Sequence, residues 1–122
     1  MKVLIVDDDE ALSLVLDTTF KKNGFDTVLA ANGQTGIDKA KTEKVDLILL
    51  DQILPDISGN EILKLLKIDP ATQNIPVIIL SNFSQEELVK EAINNGAKDY
   101  VFKYQVEPLD LVSKVKSTLK IT

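Results

Sequence analysis

Four residue types are missing from this 122-residue chain: cysteine, histidine, arginine and tryptophan. Without Cys there can be no disulfide and no thiolate metal site. Without His the commonest general base and transition-metal ligand is gone, so any chemistry falls to carboxylates, lysines and hydroxyls. All 14 positive charges are Lys, which leaves no planar guanidinium fork for bidentate recognition of phosphate or guanine. A net charge of −5 argues against nucleic acid as a direct partner. No apolar run is long enough to span a membrane, and Met1 leads straight into a predicted strand instead of a signal peptide. A soluble cytoplasmic protein is the default expectation.

What is present is globular composition, 44% hydrophobic and 27% charged, in a length that suits one domain, residues 1–122. A domain of that size buries roughly two-thirds of its unfolded surface. The most informative stretch is DLILLDQILPDISG, Asp46 to Gly59. Leu47 to Leu50 read as a strand buried on both faces, as in a parallel sheet. The run stops at Asp51, which places a carboxylate at the C-terminal end of a strand, the edge where open α/β sheets bind ligands. Pro55, Asp56, Ser58 and Gly59 form a turn before a helix over Glu61 to Lys67.

The rest of the chain alternates the same two periods. Lys2 to Val6 is an apolar strand ending in Asp7, Asp8 and Asp9, with Asp9 suited to the N-terminus of the helix that follows. From Ala11 to Phe20, Leu12, Val15, Leu16 and Phe20 recur at helical spacing, and Gly24 closes that helix. Phe25 to Ala30 is the second strand. Asn32 caps a helix to about Glu43 with Ile37 and Ala40 inward. Capping boxes at Ser58 with Glu61 and at Ser84 with Glu87 open two later helices, the first fading at Asp69-Pro70 and the second at Gly96. Val77 to Leu80 and Asp99 to Phe102 are the fourth and fifth strands. Pro108 opens a last helix with Leu111, Val112, Val115 and Leu119 inward.

Five βα units without a linker predict an α/β fold: a flavodoxin-like, doubly wound sandwich around a five-stranded parallel sheet of order 2-1-3-4-5. That order puts the first and third strands side by side. The strand ends then deliver Asp7 with Asp8, Asp51, Ser81 and Lys103 to one crevice, while the edge strand ends in Ala30 and Ala31. Three neighbouring carboxylates repel one another, so they must share a proton or a cation. Oxygen donors without His or Cys select a hard ion, Mg²⁺ above all. A phosphoryl group entering such a site would meet a hydroxyl and an ammonium, leaving one carboxylate free to attack phosphorus and form an acyl phosphate.

These motifs together resemble those of response-regulator receiver domains of two-component signal transduction, over essentially the whole chain. KVLIVDDDE is similar to the family's first-strand motif, with Asp7 and Asp8 as its acidic pair. LLDQILPDISG resembles the phosphorylation-site motif, with Asp51 in the phospho-acceptor place. IPVIILSN carries Ser81 where the family's fourth strand ends in Ser or Thr, and GAKDYVFK resembles the fifth strand with Tyr100 and Lys103. The resemblance implies Mg²⁺ bound by Asp8, Asp51 and the backbone carbonyl of Ile53, with Asp7 acting through a water, and Mn²⁺ as an alternative ion. It implies a phosphoryl group delivered to Asp51 by a histidine kinase or histidine phosphotransfer protein, or by a small donor such as acetyl phosphate. Ser81 and Lys103 would bind its oxygens, and Tyr100 would turn inward as Ser81 shifts, changing the surface of the fourth helix, fifth strand and fifth helix. On this reading the chain is a signalling module and not an enzyme with a separate substrate. Its output is a protein effector, and it acts as a monomer or a phosphorylation-dependent homodimer.

Some positions depart from the family pattern. Tyr104 follows Lys103 where proline after a cis bond is usual; a cis bond before a non-proline residue costs about 3 kcal/mol, so the loop is expected to be trans. Asn82 stands where a small residue is usual and would either crowd the phosphoryl site or add a donor. Ile53 and Phe83 are expected to slow hydrolysis of the acyl phosphate. No linker or DNA-binding domain follows the last helix, which suits a stand-alone receiver or a fragment of a longer regulator. Other readings are a receiver-like docking module that no longer takes phosphate, an aspartyl-phosphate phosphatase, and a flavin-binding module. The phosphatase would place a second acid where Ile53 stands. The flavin module would need a hydroxyl- and glycine-rich loop where the three aspartates lie.

Overall fold

The computed structural model describes residues 1–82 and 85–121, and the backbone alone of Tyr104. Strands β1 (Lys2–Val6), β2 (Asp26–Ala30), β3 (Leu47–Asp51), β4 (Val77–Ser81) and β5 (Asp99–Phe102) alternate with helices α1 (Glu10–Lys22), α2 (Gly33–Thr42), α3 (Gly59–Ile68), α4 (Glu86–Asn94) and α5 (Pro108–Leu119). All strand pairs are parallel, in the order β2-β1-β3-β4-β5, as the periodicity predicts. LILLD and VIILS are buried along their whole length because helices cover both faces of these central strands.

Strand alternation sorts the core into two layers. Val3, Ile5, Leu47, Leu49, Ile78, Leu80 and Val101 face α1 and α5, whose Leu16, Phe20, Leu111, Val112 and Val115 pack onto them. Leu4, Val6, Ile48, Leu50, Val77, Ile79 and Tyr100 face the opposite layer, with Ile37, Ala40, Ile62, Leu63, Leu66 and Ala92. At roughly 1.5–3 kcal/mol for each large apolar side chain buried, these layers supply most of the stabilisation.

The helix ends follow from local chemistry. Asp9 caps α1, its Oδ1 accepting from Leu12 N at 3.1 Å, and Asn32 Oδ1 accepts from Thr35 N at 2.8 Å to cap α2. Gly24, at φ +90°, takes the left-handed conformation needed beyond the end of α1. Two expectations require correction. Val15 is 48% exposed, because the buried stripe of α1 runs through Ser13, Leu16 and Phe20 and Val15 lies about 200° round the helix from Ser13. The N-cap of α4 is Gln85; the Ser84 capping pair, like Phe83, falls outside the described residues. Among the described residues no peptide bond is cis, and no helix is long and apolar enough to cross a membrane.

Candidate functional site

β1 and β3 are hydrogen-bonded neighbours, with Val6 level with Leu50. The residues that follow each strand's apolar run therefore emerge together: Asp7 and Asp8 beyond β1, Asp51 as the last residue of β3. One carboxylate oxygen from each of these three lies within 4.8 Å of the others. Asp7 and Asp51 are buried, whereas Asp8 is exposed. From the end of β5 comes Lys103, the first residue of a short 3₁₀ turn, Lys103–Gln105. Its Nζ lies 2.7 Å from Asp7 Oδ2 and 3.2 Å from Asp51 Oδ1. Four of the predicted site residues thus converge at the C-terminal edge of the sheet.

The electrostatics of the cluster follow from burial. Desolvation pushes the Asp51 carboxyl up, the adjacent Asp7 charge pushes it further, and Lys103 pulls it back, leaving it at about 6 against the usual 3.8. Burial alone would lower the Lys103 ammonium, but its contacts with Asp7 and Asp51 outweigh that and hold it above its ordinary value. Asp7 Oδ1 accepts from Asp9 N at 2.9 Å. Its Oδ2 is buried, with the Lys103 ammonium as its charge partner at 2.7 Å. A buried carboxylate oxygen with spare lone pairs, grouped with two further carboxylates and no nitrogen or sulfur donor, fits a hard divalent cation.

The other predicted residues occupy different places. Ser81 ends β4 fully buried, level with Phe102 of β5 and one residue beyond Leu80, the lateral partner of Asp51. Ile53 sits on the loop after β3 with its side chain outward, 52% exposed, and its N–H is 3.5 Å from Asp51 Oδ1. Tyr100 is buried in the core layer that α3 and α4 cover. It does not join the carboxylates; its hydroxyl accepts from Gln52 Nε2 at 3.4 Å.

Two residues near Asp51 carry roles that sequence reasoning missed. Asp56, read as a turn residue, accepts from Gly33 N at 2.8 Å and from Gln34 N at 2.9 Å, so the loop after β3 is fastened to the start of α2. Those backbone bonds hold its carboxyl below the usual range. Gln52 is 1% exposed and fastens the same loop to α3. Its carbonyl accepts from Gly59 N at 2.7 Å and its Oε1 from Asn60 N at 2.9 Å, while Ser58 Oγ accepts from Glu61 N at 3.2 Å. The first turn of α3 is thereby satisfied from two sides. The available signal was a lone amide beside Asp51 in LILLDQIL, a run whose other residues are all apolar.

Comparison with known proteins agrees with this geometry. The family model described as response regulator receiver domain matches residues 3–116. Sporulation initiation phosphotransferase F of Bacillus subtilis is 34% identical over 98% of this chain and 90% of its own length. The alkaline phosphatase synthesis transcriptional regulatory protein PhoP of the same organism is 33% identical, and there the chain spans about half of the relative, 48%. Among solved structures, a CheY-like response regulator receiver domain protein from Methanospirillum hungatei JF-1 superposes with a TM-score of 0.89 at 32% identity, covering 98% of this chain and 93% of that one. A two-component response regulator from Clostridium difficile gives 0.91 at 28% identity, covering 98% and 96%. With its motifs at the ends of the strands that bring them together, the chain belongs to the response-regulator receiver domain family of two-component systems.

Proposed function

We propose that this receiver is a phosphorylation-dependent switch in which Asp51 takes the phosphoryl group from a histidine kinase or a histidine phosphotransfer protein. The observation that carries the reading is the meeting of Asp7, Asp8, Asp51 and Lys103 at one edge of the sheet. An Asp51 oxygen attacks phosphorus, the phosphorus–nitrogen bond of the donor phosphohistidine breaks, and its electron pair leaves on the imidazole, which takes a proton from solvent. The product is an acyl phosphate on Asp51. A carboxyl at about 6 is mostly ionised at neutral pH and so able to attack.

Asp8, Asp51 and the Ile53 carbonyl would hold Mg²⁺, with Asp7 acting through a water; Mn²⁺ is the alternative ion. Bound there, the ion would offset the crowded negative charge of carboxylates and phosphoryl oxygens. Lys103 is already placed to follow charge on Asp51, and Ser81 supplies a hydroxyl from the adjacent strand. Tyr100 reports the state of the site to the surface of α4, β5 and α5, where partner binding changes through a population shift. Residues 1–122 form one receiver domain, and its output is contact with a protein effector.

Intact mass after incubation with acetyl phosphate and Mg²⁺ tests this. A gain of about 80 Da, the added phosphoryl group, is expected, and it should disappear with EDTA and with Asp51→Asn. A gain that survives Asp51→Asn would overturn the assignment of the acceptor. No gain with either acetyl phosphate or a phosphohistidine donor would favour a phosphate-independent docking module.

A further inference from the structure

The residue beside the acceptor is a buried amide at the meeting point of three elements. Gln52 follows β3, caps α3 through its carbonyl and Oε1, and donates from Nε2 to the hydroxyl of Tyr100 on β5, 48 residues along the chain. Next to it, the buried Asn60 donates from Nδ2 to Leu88 O of α4 at 3.4 Å. Apolar side chains would fill the same interior without needing partners. A buried amide is costly unless its hydrogen bonds are made, and Gln52 makes them through both Oε1 and Nε2, so it fixes its neighbours' positions.

From this we infer that Gln52 is a positioning residue that biases Tyr100 toward the inward arrangement and couples the strand bearing Asp51 to α3 and, through Asn60, to α4. The inference rests on the switch reading, in which inward Tyr100 belongs to the phosphorylated form. Gln52 is one of the partners of Tyr100, and its bond to the hydroxyl is long. A long bond suits a two-state element, since it tilts an equilibrium without locking it. The receiver would therefore rest partly in its active arrangement, and loss of the amide would tilt it away.

The test uses protein labelled with 3-fluorotyrosine, whose two tyrosines give two ¹⁹F resonances assigned with Tyr104→Phe, and a titration with beryllofluoride and Mg²⁺ as the phosphoryl mimic. In Gln52→Met, which puts an apolar side chain of similar length in place of the amide, the ligand-free Tyr100 resonance is expected to move toward that of an exposed ring. The apparent Kd for beryllofluoride is expected to rise about two- to tenfold, the worth of one ordinary hydrogen bond. In a Tyr100→Phe background the same substitution should leave the affinity unchanged, which a general packing defect would not do. A Tyr100 resonance and affinity equal to wild type, or an undiminished Gln52→Met effect in the Tyr100→Phe background, would overturn the inference. If Gln52→Met fails to fold, Gln52→Leu takes its place and is read in both backgrounds against the same expected and overturning results. A wild-type protein that ignores beryllofluoride would instead overturn the switch reading, and the ligand-free Tyr100 resonance would still decide the positioning role.

Discussion

Replacing the proposed acceptor should make the metal-free protein more stable, not less. Asp51 is ionised at neutral pH in a site that raises its pKa from 3.8 to about 6. The folded state therefore holds this proton more tightly than the unfolded chain does. Unfolding free energy must then fall as pH rises from about 4 to about 6 and stay at the lower level above that. At 1.36 kcal/mol per pKa unit the whole effect is about 3 kcal/mol, and solvent reaching the mouth of the site reduces it to about 1–2 kcal/mol. Asp51→Asn is neutral at every pH and escapes this loss. Urea unfolding followed by circular dichroism in EDTA should place its midpoint roughly 0.3–2 M above wild type at pH 7, for a urea dependence of about 1–3 kcal/mol per molar. At pH 4 the two midpoints should nearly coincide, because Asp51 is then protonated in the fold. Equal midpoints at pH 7, or the same gap at both pH values, would refute the reasoning.

Two further outcomes follow from the loop that carries Asp51. Gly59→Ala should destabilise by about 1–3 kcal/mol despite alanine's better helix propensity, since a Cβ there would stand 2.5 Å from Asp51 O and 2.8 Å from Gln52 Cα, both backbone atoms that cannot swing aside; urea midpoints check it. Asp56→Ala should lower the melting temperature at pH 7 by freeing the start of α2. Because the Asp56 pKa is depressed in the fold, this contribution is present above its unfolded value of 3.8 and is lost as pH falls through the folded value, so the two melting curves should converge in acid.

The architecture was legible because its central strands are unbroken apolar runs and its helices keep one buried stripe. β3 and β4 could be read from LILL and VIIL alone. In α1 the run ALSLVL offers apolar residues on several faces, and only packing decides that Leu16 is inside and Val15 outside. The acidic pair, Asp51 and Lys103 were also legible, since a parallel order of 2-1-3-4-5 forces the ends of β1, β3 and β5 to one edge. The tethering contacts of Asp56 and of Gln52 were not. The partners of Asp56 lie 22 and 23 residues away, and Gln52 and Tyr100 are 48 apart. No local pattern encodes such meetings, because they arise only once the sheet has brought the loops together.

The central claim is that one carboxylate, Asp51, forms the acyl phosphate. Borohydride reduces an acyl phosphate to the alcohol, turning that aspartate into homoserine and leaving ordinary carboxylates untouched. Peptide sequencing by mass spectrometry of chain treated with acetyl phosphate and Mg²⁺, then borohydride, should find homoserine at position 51 and aspartate at positions 7, 8 and 56. Homoserine at any of those other positions, with aspartate intact at 51, would contradict the account.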